Sequence, residues 1–580
     1  MLHITMLRLI ATAMLASLLN ACATTNNADT VATNVPESVG EPVKAAERHI
    51  PPDSVYPLLL AEFALRRRSY DIALSNYLAQ SDILDDPAVS AHATHLAQFT
   101  QRENETLQAV ELWLELEPDN VEANKTMATL LARQGRTPEA IPHLEVVARS
   151  GANAHFPILL TGFDKLGASD QAKLVSGIND LSVEFPDDWG LPLSQAIIHN
   201  EFEQYALALK KLQIVFKQEP YQQQALVLEA RVLLAQRAKN PLWRVERALQ
   251  NQPDNNKLRL QYAQLLTRSS VSAAREQFEI LLAQSPDNGD LLFSLALISR
   301  ETGNTNEAKA YIQQMLNQNL RSSEAHYYMG RILEDDRDFK GAISHYMKVE
   351  NGRDFLSANS HIGRILIAND QGDQNHAYLN SQRNKYPQRK EQLYGLEVEI
   401  LSRAGNLNGA MAVLNIALRD MPESTALRYT RSMLGEQRND LDLMESDLRE
   451  IILQEPDNAT ALNALGYTLT NRTERYSEAF TLISRALELH PEEPAILDSM
   501  GWILYRQGKY SESVEYLNRA YAKLPDPEVA AHLGEVLWAS GDTAAALSVL
   551  QKAAARDPDH QILITTMKRL GVPQPTDKTP

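Results

Sequence analysis

The stretch ALNALGYTLTNRTERYSEA at 461–479 decides the fold, because its pattern returns twice more before the chain ends. The later copies read DSMGWILYRQGKY at 498–510 and DPEVAAHLGEVLWASGD at 526–542. Each copy places a glycine among large apolar residues, and successive glycines lie 33 to 35 residues apart. An interval of this length is typical of a repeated helix–turn–helix element. The glycines are Gly466, Gly501 and Gly534.

The same interval continues backwards through most of the chain. With the glycine set at position 8, it predicts fifteen repeats, in which alanine stands at or next to position 20 nine times and proline at or next to position 32 eleven times. The predicted repeats begin near 54, 87, 121, 155, 189, 222, 255, 289, 323, 356, 391, 425, 459, 494 and 527. The alanines are Ala73, Ala140, Ala208, Ala274, Ala308, Ala342, Ala410, Ala479 and Ala546. The prolines are Pro118, Pro186, Pro220, Pro253, Pro286, Pro387, Pro422, Pro456, Pro491, Pro525 and Pro558.

The chemistry of these positions accounts for the spacing. A small residue lets two helices approach closely, and proline ends the second helix because it lacks an N–H group. One hairpin buries too little apolar surface alone, so neighbouring hairpins must stack. The pattern resembles the tetratricopeptide repeat and predicts an all-α fold, a right-handed α-solenoid (superhelix) of about fifteen helix pairs over 54–558. Residues 559–580 are predicted to form a capping helix and a disordered tail.

Among the predicted repeats without alanine at position 20, five are the weakest matches to the pattern. They begin near 87, 155, 222, 356 and 425. The residues in place of alanine are Thr106, Leu174, Pro241, Asn375 and Met444.

Charge and cysteine content exclude several classes of protein. The chain has 56 Lys and Arg against 74 Asp and Glu, a formal net charge of −18. This balance disfavours a general nucleic-acid binder, because duplex affinity comes largely from cations that neutralise phosphates. The one cysteine, Cys22, excludes an intramolecular disulfide framework and any multi-cysteine metal site.

The N-terminus resembles a bacterial lipoprotein signal. Arg8 precedes an apolar run at 9–19, which is too short to span a bilayer, and LNAC follows at 19–22. The resemblance implies a signal peptide over 1–21, lipidation of Cys22 and, because Ala23 follows, sorting to the outer membrane. The alternatives are a chance cysteine at the end of a secretory signal and an ordinary buried cysteine. Residues 22–53 lack helical periodicity and are predicted to form a flexible tether.

Three arginines, Arg66, Arg67 and Arg68, lie at the end of the first predicted helix. Cations at that end stabilise the helix dipole, so a structural role is the simpler interpretation. Their closeness to the tether leaves a contact with a membrane surface as the alternative.

The sequence contains no motif that predicts catalysis, a metal or a cofactor. HExxH, the phosphate-binding GxxxxGK[ST] loop and the GxSxG elbow are all absent. His92 and His95 could face one metal, and Glu334, Asp335 and Asp336 form an acidic run, but exposed surface explains both. We therefore expect a protein that is not an enzyme and has no cofactor.

By analogy with the family, positions 2, 5, 9, 12 and 13 of each repeat line a concave groove. Four aromatic residues among charged and amide groups there predict a protein-binding site, since Trp, Tyr and Arg dominate interface energetics. The alternative is that Trp502 and Trp538 pack between neighbouring helices. The family's carboxylate clamp of repeated Lys and Asn is not evident. The predicted groove residues are Asn463, Tyr467, Asp498, Trp502, Tyr505, Arg506, Glu535 and Trp538.

The lipoprotein signal, the tether, the array and the three C-terminal motifs together resemble Gram-negative outer-membrane tetratricopeptide lipoproteins. The best understood type is the partner and activator of a periplasmic carboxyl-terminal processing protease. The resemblance implies a non-catalytic adaptor, held in the outer membrane by its lipid and facing the periplasm. Its protein partners would be the protease and the peptidoglycan hydrolases that the protease degrades. The alternative is a general scaffold for envelope assembly or secretion with no protease partner.

Overall fold

The computed structural model describes residues 50–573. Across this range every regular element is a helix and no β-strand is present, which confirms the all-α prediction. No helix of this range is long and apolar enough to cross a bilayer. The predicted signal peptide, Cys22, most of the predicted tether and the end of the predicted tail lie outside the described residues.

The chain divides into two compact bodies, of which the N-terminal body extends to Gln222. Its consecutive helices pack against each other as hairpins, such as α1 with α2 and α3 with α4. The helices of this body are α1 (Pro52–Arg66), α2 (Tyr70–Leu84), α3 (Pro87–Phe99), α4 (Glu103–Leu116), α5 (Val121–Arg133), α6 (Ile141–Arg149), α7 (Ala168–Glu184), α8 (Gly190–Glu201) and α9 (Tyr205–Gln218).

The C-terminal body begins at Gln223 and continues the hairpin pattern. Its helices are α10 (Gln223–Ala235), α11 (Trp243–Asn251), α12 (Asn256–Leu266), α13 (Val271–Gln284), α14 (Gly289–Glu301), α15 (Thr305–Asn317), α16 (Ser322–Asp335), α17 (Phe339–Tyr346), α18 (Phe355–Ala368), α19 (Gly372–Lys385), α20 (Lys390–Arg403), α21 (Leu407–Asp420), α22 (Thr425–Gln437), α23 (Leu441–Gln454), α24 (Ala459–Arg472), α25 (Tyr476–Leu489), α26 (Pro494–Arg506), α27 (Tyr510–Lys523), α28 (Pro527–Ala539), α29 (Thr543–Arg556) and α30 (Gln561–Leu570).

The repeat predicted from 155 differs from the expectation, because it contains one α-helix instead of two. Short 3-10 turns at Phe156–Leu160 and Phe163–Lys165 replace its first helix, and α7 is its second. Pro157 removes a backbone donor, and Gly162 has a positive φ of 68°, so a continuous helix is interrupted. Phe156 is nevertheless fully buried, so the turns fill the core that the helix would have filled.

The repeat glycines allow the two helices of a hairpin to touch. A Cβ atom added to Gly501 would lie 2.5 Å from Leu517 Cγ, and one added to Gly534 would lie 2.5 Å from Leu550 Cγ. Both leucines are fully buried on the second helix of the same repeat. A side chain at either glycine would therefore force the hairpin apart.

In four of the five weak repeats, the residue in place of the alanine at position 20 is still buried. Thr106, Leu174, Asn375 and Met444 are all buried, whereas Pro241 precedes α11 in a turn. Asn375 is the costly case, since neither atom of its amide has a hydrogen-bond partner among the described residues. A buried unsatisfied amide costs about 1–3 kcal/mol.

Candidate functional site

The last three repeats place their first helices, α24, α26 and α28, next to one another. Local sequence fixes where they begin. The Asn458 side chain accepts a hydrogen bond from the backbone N–H of Ala461 at 3.0 Å, and that of Asp526 accepts one from Glu528 at 2.8 Å. Pro494 takes the first position of α26, where its missing N–H costs nothing. These starts set the register of the predicted groove residues.

A buried histidine, which the sequence analysis did not single out, connects the three helices. His532 on α28 directs Nδ1 to Asp498 Oδ2 on α26 at 2.9 Å. Its ring stacks on Trp502, with 4.1 Å between ring centroids, and Nε2 lies 3.5 Å from the Tyr467 hydroxyl of α24. His532, Asp498 and Trp502 are only 6 to 8% exposed. We call His532, Asp498, Trp502, Tyr467 and Glu528 the His532 cluster.

The charges of the His532 cluster favour a protonated imidazole. Burial lowers the pKa of His532, but Asp498, Glu528 and Glu535 outweigh it, so that the pKa lies above its ordinary value. An imidazolium donates from both nitrogens, which suits a carboxylate on one side and a phenol oxygen on the other. The Tyr467 hydroxyl in turn donates to Glu528 Oε1 at 2.7 Å. Burial and this carboxylate raise the pKa of Tyr467, which therefore keeps its proton.

A second buried carboxylate, that of Glu535, connects α28 to α26 and to the final helix. The buried Glu535 on α28 accepts a hydrogen bond from the Tyr505 hydroxyl of α26 at 3.3 Å. It also forms an ion pair with Arg569 of α30, a helix that packs against α28. Burial and the Glu535 carboxylate raise the pKa of Tyr505. Glu535 therefore links the final helix to the repeats before it.

The predicted groove residues divide into a packed set and an accessible set. Asp498, Trp502 and Glu535 are buried, and Trp502 Nε1 donates to Asn471 Oδ1 at 2.7 Å. The half-buried or exposed residues are Asn463, Tyr467, Tyr505, Arg506 and Trp538. The packing alternative thus describes Trp502, while protein binding by the predicted set stays a prediction.

Two accessible residues differ in how they are held. Arg506 is exposed and donates from Nη1 to the Thr470 carbonyl oxygen at 3.0 Å, and its guanidinium lies 5.0 Å from the Tyr476 ring centroid. Asn463 has a side-chain oxygen with no hydrogen-bond partner among the described residues. The first is a pre-positioned cation, whereas the second carries an oxygen that is itself buried and unsatisfied.

Sequence reasoning could have found part of what it missed. Glu528 and Asn471 occupy positions 2 and 13, which the groove rule includes, so applying the rule in full would have named them. His532 falls at position 6, which the rule does not count as inward-facing. Only the approach of α26 to α28 reveals that this ring meets Asp498 and Trp502.

The two metal candidates of the sequence analysis are used in ordinary contacts. His95 Nε2 lies 2.9 Å from Glu122 Oε1, whereas His92 packs against Tyr77. Asp335 pairs with Arg300 and Asp336 with Lys309. Within residues 50–573, no three His, Cys, Asp or Glu side chains are placed to hold a metal ion.

Comparison with known proteins identifies the family. The sequence model described as tetratricopeptide repeat matches residues 499–560. A TPR repeat-containing protein of Pseudomonas aeruginosa is 36% identical over 482 residues, which cover 83% of this chain and 82% of the relative. The chain belongs to the tetratricopeptide repeat family. As a tetratricopeptide repeat protein it is a scaffold for protein–protein interactions, and the family points to a non-catalytic role.

Solved tetratricopeptide structures resemble this chain with low TM-scores. Yeast Tom70 is 15% identical and is matched over 90% of this chain and 95% of its own, with a TM-score of 0.33. The protein TTC0263 of Thermus thermophilus is 17% identical and is matched over 30% of this chain and 94% of its own, with a TM-score of 0.27.

Proposed function

We propose that this protein is a non-catalytic adaptor of the outer membrane, anchored through lipid on Cys22 and facing the periplasm. It binds a carboxyl-terminal processing protease and helps that protease to degrade peptidoglycan hydrolases. Its last three repeats supply a protein-binding surface. The proposal combines membership of a scaffold family with the resemblance of the signal and C-terminal motifs to the protease-partner lipoproteins.

The observation that carries the binding role is that the last repeats combine a buried, hydrogen-bonded set of residues with neighbouring residues that solvent can reach. The His532 cluster and Glu535 connect α24, α26, α28 and α30 through hydrogen bonds and ion pairs. On the same helices, beside these buried residues, Arg506 is exposed and Tyr505 and Trp538 are half-buried. Rigid support of this kind lowers the entropy lost on binding, so a few accessible anchors give useful affinity.

Replacing Arg506 with alanine tests the binding surface. We expect the dissociation constant for the purified serine–lysine processing protease, or for a peptidoglycan hydrolase, to rise about 5- to 30-fold, because arginine is a frequent hot-spot residue. Surface plasmon resonance with the full chain would measure it. Arg519→Ala is the matched control, since Arg519 is an arginine on the second helix α27, paired with Glu492. Equal binding by both variants and the unaltered protein would refute a role for Arg506.

The identity of the partner is tested separately. Affinity purification of the protein from detergent-solubilised envelopes should recover the processing protease together with hydrolases. Consistent recovery of assembly or secretion factors without the protease would instead support the general envelope scaffold.

Changing Cys22 to serine tests the anchor. A serine hydroxyl is not the thiol that receives the lipid, so the variant should move from the membrane pellet to the soluble periplasmic fraction. Fractionation followed by immunoblotting measures this, with an abundant outer-membrane lipoprotein as the control. A Cys22→Ser variant that still sediments with membranes would contradict anchoring by this lipid.

A further inference from the structure

Helix α1 presents a second apolar stripe to solvent. Its inner side buries Ala61 and Ala64, as the first helix of a hairpin should. On the opposite side, four large side chains are 43 to 73% exposed although they recur at helical spacing. Stripes of this kind mark a surface that is covered in the functional state. The α1 stripe consists of Val55, Tyr56, Leu59 and Phe63.

Three exposed cations follow the α1 stripe directly. Arg66 lies seven residues after Leu59, so both side chains share one side of the helix. Arg67 and Arg68 continue beyond the helix end, and none of the three forms an ion pair with another described residue. The neighbouring carboxylates are engaged elsewhere, since Glu62 accepts the Tyr77 hydroxyl and Asp71 pairs with Arg102. Although the chain has a net charge of −18, these three arginines form a local positive patch at the end of the α1 stripe.

We propose that the α1 stripe and the three arginines rest on an anionic lipid bilayer, with the helix lying in the plane of the interface. Aromatic and aliphatic residues beside arginines are the composition of interfacial helices. Arginines at the headgroup level are attracted to lipid phosphates, and Tyr56 and Phe63 suit the boundary between water and acyl chains.

The short distance along the chain between Cys22 and α1 is consistent with a lipid bilayer covering the α1 stripe. This point rests on the proposed lipid anchor. Pro52 lies thirty positions after Cys22 in the sequence. The first helix is therefore the part of the described fold nearest to the anchor along the chain. A second contact adds to the membrane binding that the lipid supplies.

Vesicle co-sedimentation of the chain from residue 22 onwards, with Cys22→Ser, tests the surface without the signal segment and without any lipid on the protein. We expect binding to vesicles of phosphatidylglycerol and phosphatidylethanolamine and weak binding to phosphatidylcholine. Leu59→Ser together with Phe63→Ser should lower the partition coefficient for the anionic vesicles about tenfold or more. Leu453→Ser is the matched control, because Leu453 is an equally large and highly exposed apolar residue on α23.

The arginines are tested by Arg66→Gln, Arg67→Gln and Arg68→Gln combined, which should lower the same coefficient about tenfold or more. Lys125→Gln, Lys257→Gln and Lys340→Gln change the net charge equally at exposed sites elsewhere. Anionic-vesicle binding unaffected by the stripe and arginine changes would overturn the proposal. So would self-association, seen by analytical ultracentrifugation, that the stripe changes abolish, since a second copy would then cover the stripe. Release of Cys22→Ser from cell membranes tests the lipid anchor alone, so the two proposals fail in different experiments.

Discussion

Replacing His532 with alanine should lower the free energy of unfolding of the last repeats by about 3–5 kcal/mol. This is the usual result of removing one partner from a buried ion pair. The change leaves the Asp498 carboxylate buried without its cation and removes the ring that stacks on Trp502. Repeat arrays open locally, so hydrogen exchange is the appropriate measurement. Amides of α26 and α28 should exchange faster, while those of α14 and α15 in the same sample serve as the control.

His532→Gln separates charge from shape in the same cluster. Because the folded pKa of His532 is raised, its charge adds stability that is complete below the unfolded pKa of about 6.5 and is lost as pH rises through the folded value. Protection of α26 and α28 should therefore fall from pH 6.5 upwards in the unaltered protein. The fall should be smaller in the glutamine variant. The same slope in both proteins would show that His532 is neutral when folded.

Trp502→Ala is the second large effect, an expected loss of about 3–5 kcal/mol, as for other buried aromatic residues. The change removes the ring under His532 and the donor to Asn471, and leaves a cavity between α26 and α28. Unfolding in urea, followed by fluorescence and by hydrogen exchange of α26, would measure it.

Trp243→Ala provides the comparison for Trp502, because Trp243 lies on α11 with over a third of its surface exposed. Its loss should be well below that of Trp502. A Trp502→Ala variant that keeps its stability but binds partners more weakly would place Trp502 in an open groove and contradict the packing described above.

The regular repeats were predictable because their signals are local in sequence. The predicted starts 459, 494 and 527 coincide with the first residues of α24, α26 and α28. Gly501 and Gly534 lie where the spacing required small residues, since a Cβ atom would meet a leucine. The prediction of a first helix in the repeat near 155 was wrong, because Phe156, Leu159 and Phe163 are buried from turns and not from a helix. Apolar periodicity alone does not distinguish these turns from a helix.

The candidate site was only half predictable, for a different reason. The rule for inward-facing positions named Tyr467, Asp498 and Trp502, but it says nothing of how deeply each is buried. Burial depends on the distance between neighbouring helices, and this distance follows from every contact between two repeats. His532 is an example, because it was not predicted from its own repeat. Its role depends on a contact with Asp498, which lies 34 residues earlier in the preceding repeat.

By itself the sequence determined the class of the fold, the interval of the hairpins and the positions where two helices must touch. These follow from side-chain size and helical spacing within one repeat. The tertiary structure alone decided which of the predicted groove residues are buried around His532 and which remain accessible. It also exposed the apolar stripe of α1, because whether an amphipathic helix is covered depends on neighbours that no single repeat encodes.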